Sequence, residues 1–101
     1  METIGIYKNM EVTYKEFEHA LLSLGYRKVL KKNTRIYIND VHDSTISISH
    51  LNTLDKRMIK GEFAAQAFLM EMKGVLNDKD DIAKMIEQQR LEPQSQFITQ
   101  P

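Results

Sequence analysis

Three histidines, a dense run of cations and one tyrosine are the side chains through which this chain could act on another molecule. His19, His42 and His50 are its only imidazoles, and it has no cysteine. Imidazole takes and returns protons near neutral pH. Arg27, Lys28, Lys31, Lys32 and Arg35 crowd into a short stretch, with Tyr37 just beyond. Cations bind phosphates and offset the charge of a phosphorane, an aromatic ring stacks on a base or touches a sugar, and a histidine base removes a 2′-hydroxyl proton. These types suit contact with an RNA backbone or its cleavage.

Position separates the histidines. His50 closes the run Thr45-Ile46-Ser47-Ile48-Ser49, and with Arg35 and Tyr37 from a neighbouring strand it forms a candidate cleavage site. A strand-end histidine half covered by the core fits the same place. His42 lies in Asn39-Asp40-Val41-His42-Asp43-Ser44, a stretch of turn formers, where a solvated role is expected. His19 sits beside Glu18, away from the Phe17–Leu21 stripe, on what should be surface. Asp40, His42 and Asp43 are too close in sequence to converge on one ion, so no metal site and no cofactor are expected. Asp78, Asp80 and Asp81 read as a helix start, and the chain lacks a glycine-rich phosphate loop and a nucleophile elbow.

The chain is electrically neutral, but its charge is uneven. Residues 27–60 hold eight Lys or Arg against Asp40, Asp43 and Asp55, a local charge of +5, so the flanks carry the compensating −5. A basic middle can bind a polyanion locally, and ordinary lysines on a solvated sheet face would give the same pattern. With 101 residues there is room for one domain and one modest core. No apolar run spans a membrane, and the first residues lack the basic start and apolar stretch of a signal peptide, so a cytoplasmic location is expected.

These side chains depend on a small set of elements. Thr13 and Glu16 form a T-x-x-E capping box, Tyr14, Phe17, Leu21 and Leu24 recur at helical spacing, and Gly25 supplies a stop, which predicts a helix over 13–24. Strands follow over 26–30, 35–38 and 45–49, separated by a Lys31-Lys32-Asn33 turn and the 39–44 turn. The four isoleucines Ile36, Ile38, Ile46 and Ile48 are expected to share the buried face, leaving Arg35, Tyr37, Thr45, Ser47 and Ser49 on the wet one. Leu51, Leu54, Met58 and Ile59 should anchor the connection over 50–60. A helix over 61–73 should bury Ala64, Ala67, Phe68 and Met72, with Val75 continuing the stripe beyond Gly74. Phe63 and Phe68 cannot share one narrow stripe, so part of this helix is also a candidate partner face. Met70, Met72 and Met85 are expected to fill core gaps. A last helix capped at Asn77 or Asp78 should bury Ile82, Met85 and Ile86. Residues 1–9 read as an extension in which Ile4 and Ile6 alternate, 10–90 as the α+β domain, and 91–101 as a flexible tail.

Tyr14-Lys15-Glu16-Phe17, Leu24-Gly25-Tyr26, the basic turn, Ile36-Tyr37, Thr45-Ile46-Ser47-Ile48 and Lys60-Gly61, in this order, resemble the HicA family (also called YcfA-like) over about residues 10–88. The family comprises small mRNA interferases of bacterial toxin–antitoxin pairs. The resemblance implies an α-β-β-β-α(-α) order, with helices on one face of a three-stranded antiparallel sheet like that of double-stranded-RNA-binding domains. It also implies RNA as target and an antitoxin-like protein as partner. The family carries Gly-Ser-His between its first two strands, the histidine being taken to cleave RNA. Here that place reads Lys32-Asn33-Thr34-Arg35, and the histidine position falls on Thr34 or Arg35. Neither is a base near neutral pH. The expectation is therefore an RNA-binding domain without the family's cleavage chemistry, using Arg27, Lys28, Lys31, Lys32, Arg35 and Tyr37. Two alternatives stand beside it: a module that binds an antitoxin-like protein or a second copy of itself, and a ribonuclease that uses His50.

Overall fold

The computed structural model describes residues 10–99, with side chains through residue 92. The possible strand at Ile4 and Ile6 lies outside the described residues. The order is α1 (Tyr14–Ser23), β1 (Arg27–Lys31), β2 (Thr34–Asn39), β3 (Ser44–Ser49), α2 (Lys60–Met72) and α3 (Asp81–Thr99). The three strands form one antiparallel sheet in the order β1-β2-β3. This is the expected α+β fold. The α3 backbone continues past Leu91, where the sequence reading begins a tail, but no side chain is described beyond Glu92. Among the described residues no helix is long and apolar enough to cross a membrane.

Helix α1 forms as its sequence dictates. Thr13 caps it: its hydroxyl accepts from the Glu16 amide, and the Glu16 carboxylate accepts from the Thr13 amide at 3.0 Å. Tyr14, Phe17, Ala20 and Leu21 are buried beneath it. Gly25 takes φ +96°, in the left-handed region that a β-carbon disfavours, and turns the chain into β1. Phe17 meets Phe63 of α2 edge-on, with ring centroids 6.0 Å apart, and Ile82 and Ile86 of α3 close the core.

The 50–59 connection is tied to the start of α1 by backbone bonds: the Tyr14 amide donates to Lys56 O (2.9 Å), Lys15 to Leu54 O (2.8 Å), and Met58 to Val12 O (2.8 Å). Only part of its expected anchoring is apolar. Met58 is buried and Leu54 half-buried, whereas Leu51 and Ile59 face solvent.

Two expected faces are corrected. Helix α2 buries Phe63, Ala67 and Met70, not Ala64, Phe68 and Met72, which are exposed. The helix is apolar nearly all round, so spacing alone does not choose its rotation. The Phe17–Phe63 contact and the Tyr14 hydroxyl, which donates to Glu62 Oε1 at 2.6 Å, do. In the sheet, Tyr37 pairs with Ile46 and Arg35 with Ile48, while Ile36 pairs with Ser47 and Ile38 with Thr45. Directly paired residues share a face. The buried face therefore holds Arg35, Tyr37, Ile46 and Ile48, and Ile36 and Ile38 lie half-covered on the outer one.

Candidate nucleic-acid interface

Of the six residues singled out for phosphate, sugar or base contact, the fold engages four, Arg27, Lys28, Arg35 and Tyr37, with partners of its own, and leaves Lys31 and Lys32 without a carboxylate partner among the described residues. Arg27 stands exposed on the outer face of β1, and its Nε donates to Asp40 Oδ2 at 2.9 Å. That hydrogen bond, with the attraction behind it, holds the Asp40 carboxyl below the usual aspartate range and raises the Arg27 guanidinium. Lys28 is opposite Tyr37 in register, on the helix side, and its Nζ lies 2.9 Å from Glu18 Oε1.

Arg35 and Tyr37 are inside. Tyr37 has no exposed surface and Arg35 only 9 %. The Tyr37 hydroxyl donates to Glu18 Oε1 at 2.5 Å and accepts from Arg35 Nε at 3.1 Å. The other end of the Arg35 guanidinium donates to Asn52 O at 2.8 Å. The chain Lys28–Glu18–Tyr37–Arg35–Asn52 thus stitches β1, α1, β2 and the 50–59 connection together. Burial, then the Glu18 hydrogen bond, pushes the Tyr37 hydroxyl up to about 12. For Glu18, burial opposes the charged form, but the hydrogen bonds from Tyr37 and Lys28 outweigh it and its carboxyl falls below the usual glutamate range. The expectation that Arg35 and Tyr37 touch RNA is corrected on this ground: each side chain is used internally, and neither presents a surface to a polyanion.

Lys31 and Lys32 differ. Both are exposed, and among the described residues neither has a carboxylate within 4.0 Å. They lead into the tight β1–β2 turn, where Lys31 pairs with Thr34 and Lys32 takes a left-handed φ of +51°. His50 stands against this turn. Its amide donates to Asn33 O at 2.7 Å, and its Nδ1 lies 3.0 Å from the same oxygen. A carbonyl oxygen only accepts, so the neutral ring carries its proton on Nδ1 and leaves Nε2 as a lone-pair acceptor. The ring is exposed, not half covered by the core. Thr34, one of the two positions where the family's histidine would fall, pairs with Ser49 next to His50. The fold therefore brings His50, Lys31 and Lys32 to one end of the sheet, with Asn52 held nearby by Lys56 Nζ at 3.1 Å. Arg57 pairs with Glu11 at 3.0 Å.

The other histidines stand apart. His19 is exposed on α1, and His42 is half-buried in the β2–β3 turn, where its amide donates to Asn39 Oδ1 at 3.1 Å. Among the described residues no group of three or more acidic or imidazole side chains is placed to hold a metal ion.

Glu18 is the site residue that the sequence reading passed over. Its signal was present: position 18 follows Tyr14 by four residues and precedes Leu21 by three, so it belongs to the buried stripe of α1. A carboxylate there needs partners, and Lys28 and Tyr37 supply them. Comparison with protein-family models, curated proteins and solved structures finds no match to this chain, so its functional reading rests on the side chains themselves.

Proposed function

We propose that this chain is a HicA-like RNA-binding domain that grips the phosphate backbone through the β1–β2 turn, without the family's own cleavage histidine. The observation that carries the reading is the exposed Lys31–Lys32 pair, with no carboxylate partner among the described residues, beside an exposed His50. Exposed cations without a carboxylate partner release counterions when they meet phosphates. Arg27 assists by exchanging its solvent-exposed Asp40 partner for a phosphate. Lys28, Arg35 and Tyr37 act one step back, fixing the sheet against α1 so that the turn is held rigidly.

The test is a titration of labelled double-stranded RNA at two salt concentrations, with wild-type protein and with Lys31→Ala/Lys32→Ala. Each phosphate-contacting lysine should lower the salt slope by about 1 when removed. Wild-type binding that ignores salt, or a double variant that binds like wild type, overturns the reading.

One observation favours a second reading. With Nδ1 tied to Asn33 O, Nε2 of His50 is free to act as a base on a 2′-hydroxyl, and Lys31 and Lys32, at the same end of the sheet, would offset phosphorane charge. Comparing RNA decay for wild-type and His50→Ala protein decides it. Equal rates dismiss cleavage through His50 while leaving the binding reading intact.

A further inference from the structure

The sheet has two edges, and they differ in how they are defended. Strand β1 carries Arg27, Lys28 and Lys31 within five residues, the usual protection of an edge against pairing. Strand β3, Ser-Thr-Ile-Ser-Ile-Ser, carries no charge at all. The backbone shows which of its groups are unused. His50 donates to Asn33 across the β2–β3 ladder, and bonding to a neighbour alternates along an antiparallel strand. Ile48, Ile46 and Ser44 therefore bond to β2, while Thr45, Ser47 and Ser49 aim their amides and carbonyls at the open edge. The Asn52 amide donating to Ser49 O, at 3.0 Å, agrees with this assignment. Among the described residues no other backbone partner reaches this edge. Beside it runs a groove of about 300 Å³, walled by Thr45 and Ile46 on the strand, by Gln66 and Leu69 on α2 and by Lys73 just past its end. Thr45 and Ile46 point to opposite faces, so a hollow that touches both lies on the strand's edge. Leu69, half exposed, is the apolar side chain that α2 presents to this groove from its exposed surface.

We propose that β3 pairs antiparallel with β3 of a second copy of this chain, Ser47 facing Ser47 of the second copy across a two-fold axis. The strand is self-complementary in that register. Thr45 meets Ser49 of the second copy on the outer face, and Ile46 meets Ile48 on the core face. All three residues with outward backbone groups find partners, Ser49 O accepting on its second lone pair beside the Asn52 bond, and no charges are opposed. Self-pairing of β1 fails the same test, because Arg27 would face Lys31 of the second copy. The proposal is independent of whether the β1–β2 turn binds RNA.

Sedimentation or light scattering over a dilution series should give a mass twice that of the 11.8 kDa chain at the concentrated end. Ser47→Lys, which sets two ammonium groups opposite each other at an exposed position, should give a folded monomer, with folding checked by circular dichroism. Because the chain has no cysteine, Ser47→Cys offers a second reading: it should form an intermolecular disulfide on mild oxidation much faster than Lys31→Cys on the other edge. A wild-type monomer at every concentration overturns the proposal. So does a dimer that survives Ser47→Lys, or crosslinking at Lys31→Cys as fast as at Ser47→Cys.

Discussion

Replacing Tyr37 by phenylalanine removes one oxygen and keeps the ring. That oxygen is the joint of the internal polar chain: it accepts from Arg35 Nε at 3.1 Å and donates to Glu18 Oε1 at 2.5 Å. A hydrogen bond to a charged group contributes about 1.5–3 kcal/mol, and a buried donor left unpaired costs about 1–3 kcal/mol. The two losses share one oxygen and do not simply add, which puts the expected cost near 3 kcal/mol. For a domain of this size, about 1 kcal/mol moves Tm by about 4–8 °C, so Tm should fall by roughly 15 °C. Urea unfolding followed by circular dichroism should show a lower midpoint at an unchanged slope. Arg35→Met removes the other side of the bond. In the double variant the losses should fall short of additivity by at least about 1 kcal/mol, because the guanidinium stranded by Tyr37→Phe is no longer there. A loss for Tyr37→Phe below about 0.5 kcal/mol, or strict additivity, would refute the claim that the hydroxyl joins Glu18 to Arg35 in a buried network.

Further expectations concern pH, the turn and the helix cap. Burial, then the hydrogen bonds to Glu62 and Glu18, raises the Tyr14 and Tyr37 hydroxyls from 10.0 to about 12. A raised folded-state value contributes stability that is complete below 10.0 and is lost between 10.0 and about 12. Denaturant midpoints should therefore fall steeply across that window, and a flat profile there counts against both hydrogen bonds. At the acid end, Glu16, lowered chiefly by Arg90, and Glu18, lowered by Tyr37 and Lys28 against burial, contribute stability that is present above about 4.5 and lost as pH falls through their depressed values. A midpoint that is unchanged on acidification below that point would contradict it. Lys32→Gly relieves the left-handed φ of +51° and should raise stability by up to about 1 kcal/mol while lowering the salt slope of RNA binding by about 1; a variant that binds RNA more weakly only because it is less folded denies both parts. Thr13→Ala removes the cap of α1 and should cost about 1 kcal/mol in urea, with a loss under about 0.3 kcal/mol showing that the first-turn amides find other partners.

The order of elements, the capping box, the Gly25 stop and the two sheet turns were legible because each depends on local chemistry. What the sequence reading placed wrongly depends on parity. It set all four isoleucines on one face because they alternate within each strand, yet alternation says nothing about how two strands match. Turn length does. Asn39 pairs with Ser44 across the four-residue loop Asp40–Asp43, so every odd-numbered residue of β2 faces an even-numbered residue of β3. Ile36 and Ile38 are even, Ile46 and Ile48 are even, and no even-length loop can bring them to one face. Two choices then remain for the buried side: Ile36 and Ile38 with Thr45, Ser47 and Ser49, or Ile46 and Ile48 with Arg35 and Tyr37. The first buries three hydroxyls under helices whose facing stripe is apolar apart from Glu18. The second buries a guanidinium and a phenol, but Glu18 stands on that stripe to receive the phenol, and the connection after β3 offers a carbonyl at Asn52. One carboxylate on α1 thus decides which face of the sheet is dry. It follows that Arg35 and Tyr37, the cation and aromatic most inviting for RNA in the sequence, serve the fold, and that of the basic run Arg27–Arg35 it is Lys31 and Lys32, at the turn, that have no internal partner among the described residues.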